Sequence, residues 1–120
     1  MTEKNSTEYA KFLSDEIYKA LDSKKANDIA VLPVTKQTVL ADFFVLANGT
    51  SSTHIRALAD EVEFKIKENF SIEPAHTEGR DHLNWVLLDY GCVVVHIFTK
   101  EARDFYKLDK LWADSGVSSP

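Results

Sequence analysis

Apolar and polar positions alternate along this chain with two distinct periods, and the switches between them mark its elements. Tyr9, Leu13, Ile17, Ala20 and Leu21 recur at helical spacing, predicting a helix from about Glu8 to Leu21 with Ser6 or Thr7 as its cap. Asn27-Asp28 then introduces Ile29-Ala30-Val31-Leu32, a short apolar run that reads as a strand closed by Pro33. Proline has no backbone donor, so Pro33 belongs at a strand end, on a sheet edge or at a bulge. Phe43-Phe44-Val45-Leu46-Ala47 is almost continuously apolar, which predicts a strand buried on both faces, stopping at Asn48-Gly49. From about Thr53 to Asn69, Ile55, Leu58, Ala59, Val62 and Ile66 form one helical stripe, while Glu61, Glu63, Lys65 and Lys67 face water.

A polar stretch around Thr77-Glu78-Gly79-Arg80-Asp81 separates that helix from two further strands, Trp85 to Asp89 and Val93 to Phe98. Tyr90-Gly91 between them predicts a tight hairpin turn. Glu101 to Tyr106 and Leu108 to Trp112 read as short helical pieces. Hairpins mixed with a helical crossover give an α/β domain, a mixed β-sheet flanked by helices in two or three layers. The expected organisation is a flexible N-terminus over 1–7, one domain over 8–114, and a polar, flexible tail over 115–120.

Composition narrows the class. The 120 residues make one domain, and 44% hydrophobic with 28% charged residues is ordinary for a soluble globular chain. Cys92 is the sole cysteine, which excludes an intramolecular disulfide and a multi-cysteine zinc site. No apolar run reaches the ~20 residues that span a bilayer, and the polar start Met1 to Glu8 is neither a signal nor a transit peptide. A cytoplasmic protein with no membrane association is expected. Fourteen Lys and Arg against nineteen Asp and Glu leave a net charge of −5, with no basic block longer than Lys24-Lys25. Proteins that grip nucleic acid through its phosphates carry a basic stripe, so direct DNA binding is not expected. An acidic surface suits a basic protein partner, although charge alone is explained more simply by solubility.

Few residues offer chemistry. The junction Gly49-Thr50-Ser51-Ser52 resembles an anion cradle at a helix start, but a Walker lysine and further glycines are missing, and Ser and Thr there are ordinary caps. Asp60, Glu61 and Glu63 crowd one helix yet point in different directions around it, so a solvated helix face is preferred to a metal site. His54, His76, His82 and His96 lack metal-ligand spacing. His76, Glu78, Asp81 and His82 form at most a loop cluster, and His96, inside an apolar strand, reads as a hydrogen-bonded core or half-buried histidine. Nothing near Cys92 in sequence lowers its pKa, so an inert thiol is expected. Trp85-Val86-Leu87-Leu88-Asp89-Tyr90-Gly91 differs: Trp and Tyr on a short hairpin offer large, stiff contact groups of the kind that anchor interfaces, with burial of Trp85 in the core as the equal alternative.

Three stretches taken in order carry a resemblance. Asp42 to Ser52 followed by His54 and Ala57-Leu58-Ala59-Asp60-Glu61-Val62 is similar to the Iojap family of ribosomal silencing factors (RsfS). So are Trp85 to Gly91 with Val93-Val94-Val95-His96, and Glu101 to Tyr106 with Leu108 and Leu111-Trp112. The resemblance spans Tyr9 to Asp114. It implies a nucleotidyltransferase-like fold without the catalytic acidic pair, no cofactor and no enzymatic activity. It further implies binding to protein fourteen of the large ribosomal subunit, blocking of subunit joining, repression of translation under nutrient limitation, and a homodimer when free. The implied partner-facing residues are Trp85, Asp89 and Tyr90, with Leu88 and Gly91 in the same stretch. Cys92 stands where many relatives carry Asp, removing one negative charge from the expected contact, and Pro33 replaces another common Asp. The competing reading is a nucleotide-binding enzyme using Gly49 to Ser52; it is disfavoured because no pair of metal-binding carboxylates on strands is expected beside that junction.

Overall fold

A computed structural model describes residues 3–34, 41–79 and 84–102 of the chain, with side chains from residue 8 onward. Helix α1 spans Glu3–Ser23 and β1 Asn27–Pro33, followed by β2 Phe43–Gly49 and α2 Ser52–Phe70. Strands β3 His76–Glu78, β4 Trp85–Asp89 and β5 Val93–Thr99 complete the order. A helical turn begins at Lys100 and reaches the limit of the described residues at Ala102, so the helical pieces expected from Glu101 to Trp112 lie mostly outside them.

Helix α1 starts five residues before its expected start at Glu8, which places Ser6 and Thr7 inside the helix and not at its cap. Glu3 and Lys4 are good helix formers by intrinsic propensity. The helix ends in a Schellman motif. Ala26 N–H donates to Leu21 O at 3.1 Å and Lys25 N–H to Asp22 O at 3.0 Å, with Lys25 held at φ 65°. Helix α2 is capped as its sequence suggests: Ser51 Oγ accepts from His54 N–H at 3.1 Å. The expected stripe Ile55, Leu58, Ala59, Val62 and Ile66 is its buried face.

The sheet order is β1-β2-β5-β4-β3, with β2 and β5 parallel and every other pair antiparallel. Strand β2 is therefore internal, as its apolar run requires, and Val45 to Gly49 are buried. Pro33 closes edge strand β1, where its missing donor leaves no ladder bond unmade. Strand β3 arises in the polar stretch: all three residues are exposed, and pairing of Thr77 with Leu88 holds it to β4.

Both helices cover one face of the sheet. Val45, Ala47, Val86, Leu88, Val93, Val95 and Ile97 meet Leu13, Ile17, Leu58 and Val62 in a single core with no solvent exposure. On the opposite face Leu46, Phe98 and Ala102 form a second cluster, with Phe44 and Trp85 packed against it.

Candidate functional site at the hairpin end of the sheet

The β4–β5 connection is a two-residue turn. Tyr90 N–H donates to Val93 O at 2.9 Å, and Gly91 takes φ 87°. A Cβ on Gly91 would meet nothing within 4 Å, so glycine is needed there for its backbone and not for space. Gly91 N–H donates to Asp89 Oδ1 at 2.7 Å, which fixes that carboxylate over the turn. Cys92 O accepts from Asp42 N–H at 2.7 Å and from Phe43 N–H at 3.2 Å, tying the turn to the start of β2. Burial, and then the nearby Asp42 carboxylate, push the Cys92 thiol above its ordinary value, so it is inert. Asp42 thus sets a negative charge beside Cys92, where the sequence suggested that one had been removed.

Strand alternation divides the residues expected to face a partner. Val86 and Leu88 point into the helix-side core, and Leu88 is fully buried. Leu88 therefore supports the hairpin from within and offers no contact surface, which corrects its expected role. Tyr90 is half-buried against the same core, beside the exposed Gly91. Trp85, Leu87 and Asp89 lie on the other side, free of α1 and α2, where Ala102 of the last described helical turn also packs. Trp85 stands at the far end of β4, five positions or roughly 17 Å from Tyr90, paired in register with Phe98. Beside it, Glu78, Gly79 and Leu87 line a mostly apolar cleft of about 130 Å³. A Cβ on Gly79 would lie 2.2 Å from Trp85 O, so this glycine lets β3 close against β4.

His96 forms the centre of the cluster on the side away from α1 and α2, with ring centroids 5.0 Å from Phe44, 5.9 Å from Trp85 and 6.3 Å from Phe98. It is 6% exposed, a core histidine where a hydrogen-bonded core or half-buried one was expected, and neither ring nitrogen has a hydrogen-bond partner among the described residues. Burial lowers its pKa from 6.5 to about 4, so the ring is neutral at neutral pH.

Gly49-Thr50-Ser51-Ser52 is built as a structural turn. Thr50 N–H donates to His54 Nδ1 at 2.9 Å, and His54 Nε2 lies 2.8 Å from Lys24 O. These contacts select the tautomer protonated at Nε2 and clamp the start of α2 to the loop after α1. The clamp was invisible in sequence, because thirty positions separate Lys24 from His54. A Cβ on Gly49 would sit 2.5 Å from Ile55 Cγ2, so the glycine serves close strand–helix packing. Asp28, on β1, is a single strand carboxylate beside the junction, where its Oδ2 accepts from Asn48 Nδ2 at 3.3 Å. Asn48, Asp28, Lys100 and Glu101 help line a polar cleft of about 390 Å³. Among the described residues no group of three His, Cys, Asp or Glu side chains is placed to hold a metal. His76 Nε2 and Glu78 Oε2 are 2.7 Å apart on the exposed surface of β3, whereas Asp81 and His82 lie outside the described residues. No described helix is long and apolar enough to cross a membrane.

Comparison with known proteins places this arrangement. Residues 7–119 match the family model described as "Ribosomal silencing factor during starvation". Ribosomal silencing factor RsfS of Bacillus subtilis is 41% identical over 99 residues, covering 82% of this chain and 83% of that protein. The mouse protein named "Mitochondrial assembly of ribosomal large subunit protein 1" is 33% identical over 105 residues, covering 86% of this chain and 46% of its own length. A crystal structure from Chromobacterium violaceum superposes with a TM-score of 0.83 at 35% identity, covering 87% of this chain and 86% of that one. With nearly its whole length matched in sequence and in fold, the chain belongs to the ribosomal silencing factor (RsfS, Iojap) family.

Proposed function

We propose that the chain binds the large ribosomal subunit through its protein fourteen and silences translation by occupying the surface on which the small subunit docks. The action is steric. It requires affinity and bulk, is carried out in the cytoplasm when nutrients are limiting, and involves no catalysis, no cofactor and no contact with DNA or membrane. Trp85, Asp89, Tyr90 and Gly91 are the proposed contact residues, with Leu88 holding the hairpin from behind.

One observation carries the reading: a hairpin end where the Asp89 carboxylate is held over the turn beside the half-buried Tyr90, and Asp42 lies against Cys92 of the same turn. Carboxylates beside an aromatic anchor suit a basic protein surface, because opposite potentials speed encounter while the ring supplies desolvated contact area. Trp85 extends the surface along the face away from α1 and α2, where the cleft beside it accepts a small apolar group. When the partner is absent, a second copy of the chain covers this apolar surface, giving a weak homodimer; sedimentation velocity showing monomer alone at high concentration removes that part.

Sucrose-gradient co-sedimentation of the purified protein with separated ribosomal subunits tests the whole. Wild type is expected with large subunits only, and Tyr90→Ala is expected to stay folded, at a melting temperature lowered by the lost packing of its ring on the core, and to bind at least tenfold more weakly. Folded Tyr90→Ala and Asp89→Asn variants that bind as well as wild type rule the site out.

A further inference from the structure

Four large hydrophobic side chains are exposed among the described residues, and two of them converge. Phe12 is 62% exposed and Tyr9 40%, one turn apart on α1, and both rings meet Phe70 at the end of α2. The contacts are edge-to-face, with centroids 5.8 Å apart for Tyr9–Phe70 and 6.0 Å for Phe12–Phe70. Aromatic rings assembled across two helices and left in water are unusual for a single exposed residue's share of surface, and they mark a contact face.

The topology sets this face beside the hairpin end. Helix α1 finishes where β1 begins, opposite Asn48 at the far end of β2, so its N-terminal half lies at the end where β2 starts. Helix α2 leaves Gly49 and returns to the same end at Phe70. Phe70, Tyr90 and Cys92 all pack against the one helix-side core. Tyr9 and Cys92 are close enough that charge on the thiol raises the Tyr9 hydroxyl further, beyond the effect of burial.

The rim is acidic. Helical spacing sets Glu8, Asp15 and Glu16 around Phe12, at positions −4, +3 and +4. Asp15 is 3.7 Å from Lys11, and Glu16 is 3.2 Å from Lys19. Glu8, together with Asp42 and Asp89 at the hairpin end, has no Lys or Arg partner among the described residues. Phosphates are repelled by such a rim. A two-fold-related copy seated on these rings would set its own Glu8 against this one. A cationic polypeptide satisfies both the charge and the rings.

We infer that the Tyr9–Phe12–Phe70 face is a second half of the partner-binding surface, seating an apolar side chain of a Lys- or Arg-bearing protein segment that continues from the hairpin end. This rests on the silencing function proposed above and extends it from the sheet onto the helices. The test measures binding of the full chain to purified large ribosomal subunits, at protein concentrations where wild type is monomeric. Phe12→Ser and Glu8→Lys are each expected to weaken binding about tenfold with the melting temperature nearly unchanged, the Glu8→Lys effect shrinking as salt rises. Phe64→Ser removes a ring that is 58% exposed but outside the three-ring contact, and is expected to bind as wild type. If Phe12→Ser and Glu8→Lys bind normally while Tyr90→Ala is impaired, this inference is overturned and the hairpin reading stands. If Phe12→Ser binds normally but no longer dimerises in sedimentation velocity, the face belongs to a second copy and the inference is likewise overturned. If Tyr90→Ala also binds normally, the hairpin reading itself fails.

Discussion

His96 stands without a hydrogen-bond partner among the described residues, in the middle of three aromatic rings, and its burial has a measurable cost in acid. The unfolded imidazole takes its proton near 6.5 and the folded one only near about 4. Below pH 6.5 the unfolded state therefore binds more protons than the native state, and stability falls as pH drops until it levels off below about 4. By pH 5 the loss is about 2 kcal/mol, at about 1.4 kcal/mol per pKa unit. Urea unfolding of wild type and His96→Leu between pH 7.5 and 5 checks this: the decline is expected in wild type, and its His96 share is expected to vanish in the variant. An identical pH slope in both proteins refutes it. A residue-by-residue reading of the sequence put His96 inside a strand but could not foresee missing partners, since those depend on which rings neighbouring strands bring alongside. For the same reason Trp85, Asp89, Tyr90 and Gly91 were legible as a hairpin, while their separation onto different sides of it was not. Leu88 shows the limit well: it adjoins Asp89 in sequence, yet alternation buries it.

At the level of elements, the ends of the helices hold the instructive differences. Lys25 and Ser71 occupy the left-handed region at φ 65° and 59°, positions that glycine fills most cheaply. Lys25→Gly is expected to raise stability by about 0.5–1 kcal/mol, read from denaturant midpoints, because relief of the strained backbone outweighs the extra freedom of the unfolded chain. Ser51→Ala removes the α2 cap and is expected to cost about 1 kcal/mol. Gly49→Ala forces a Cβ toward Ile55 and is expected to cost about 1–3 kcal/mol, as overpacking does. Nucleoside triphosphate with magnesium is expected not to protect the wild-type chain from unfolding; protection that Ser51→Ala loses would revive the nucleotide-binding alternative. The apolar stripe of α2 and the doubly buried run of β2 were readable because burial imposes its period directly. The early start of α1 and the whole of β3 were not. The first is a matter of helix propensity without an apolar signal, and the second exists only through its pairing with β4.

For the molecule as a whole, charge and layering act together. Helices α1 and α2 shield one side of the sheet, so the surfaces proposed for a partner gather at the hairpin end and on the helix ends beside it. The chain's net charge of −5 makes its approach to a basic surface sensitive to ionic strength. Association rates with large subunits are expected to fall several-fold between about 50 and 200 mM salt, where the screening length shortens, while dissociation changes less. Stopped-flow mixing resolves the two; salt dependence confined to dissociation would count against an electrostatically guided encounter.

The parallel pairing of β2 with β5 also has a consequence in time. Each residue of β2 meets one fifty positions later, Phe43 with Val93 through to Gly49 with Thr99. Such distant pairings form late, because the closure entropy of the long intervening chain precedes any gain from contact. The carbonyl of Cys92, which receives the amides of Asp42 and Phe43, lies at the seam where those two stretches join. On a ribosome still synthesising this protein, the helices and the β1–β2 pair can form early, but the joined end cannot exist until β5 has left the exit tunnel. The hairpin end proposed to meet a partner is therefore among the last parts of the molecule to be completed during synthesis.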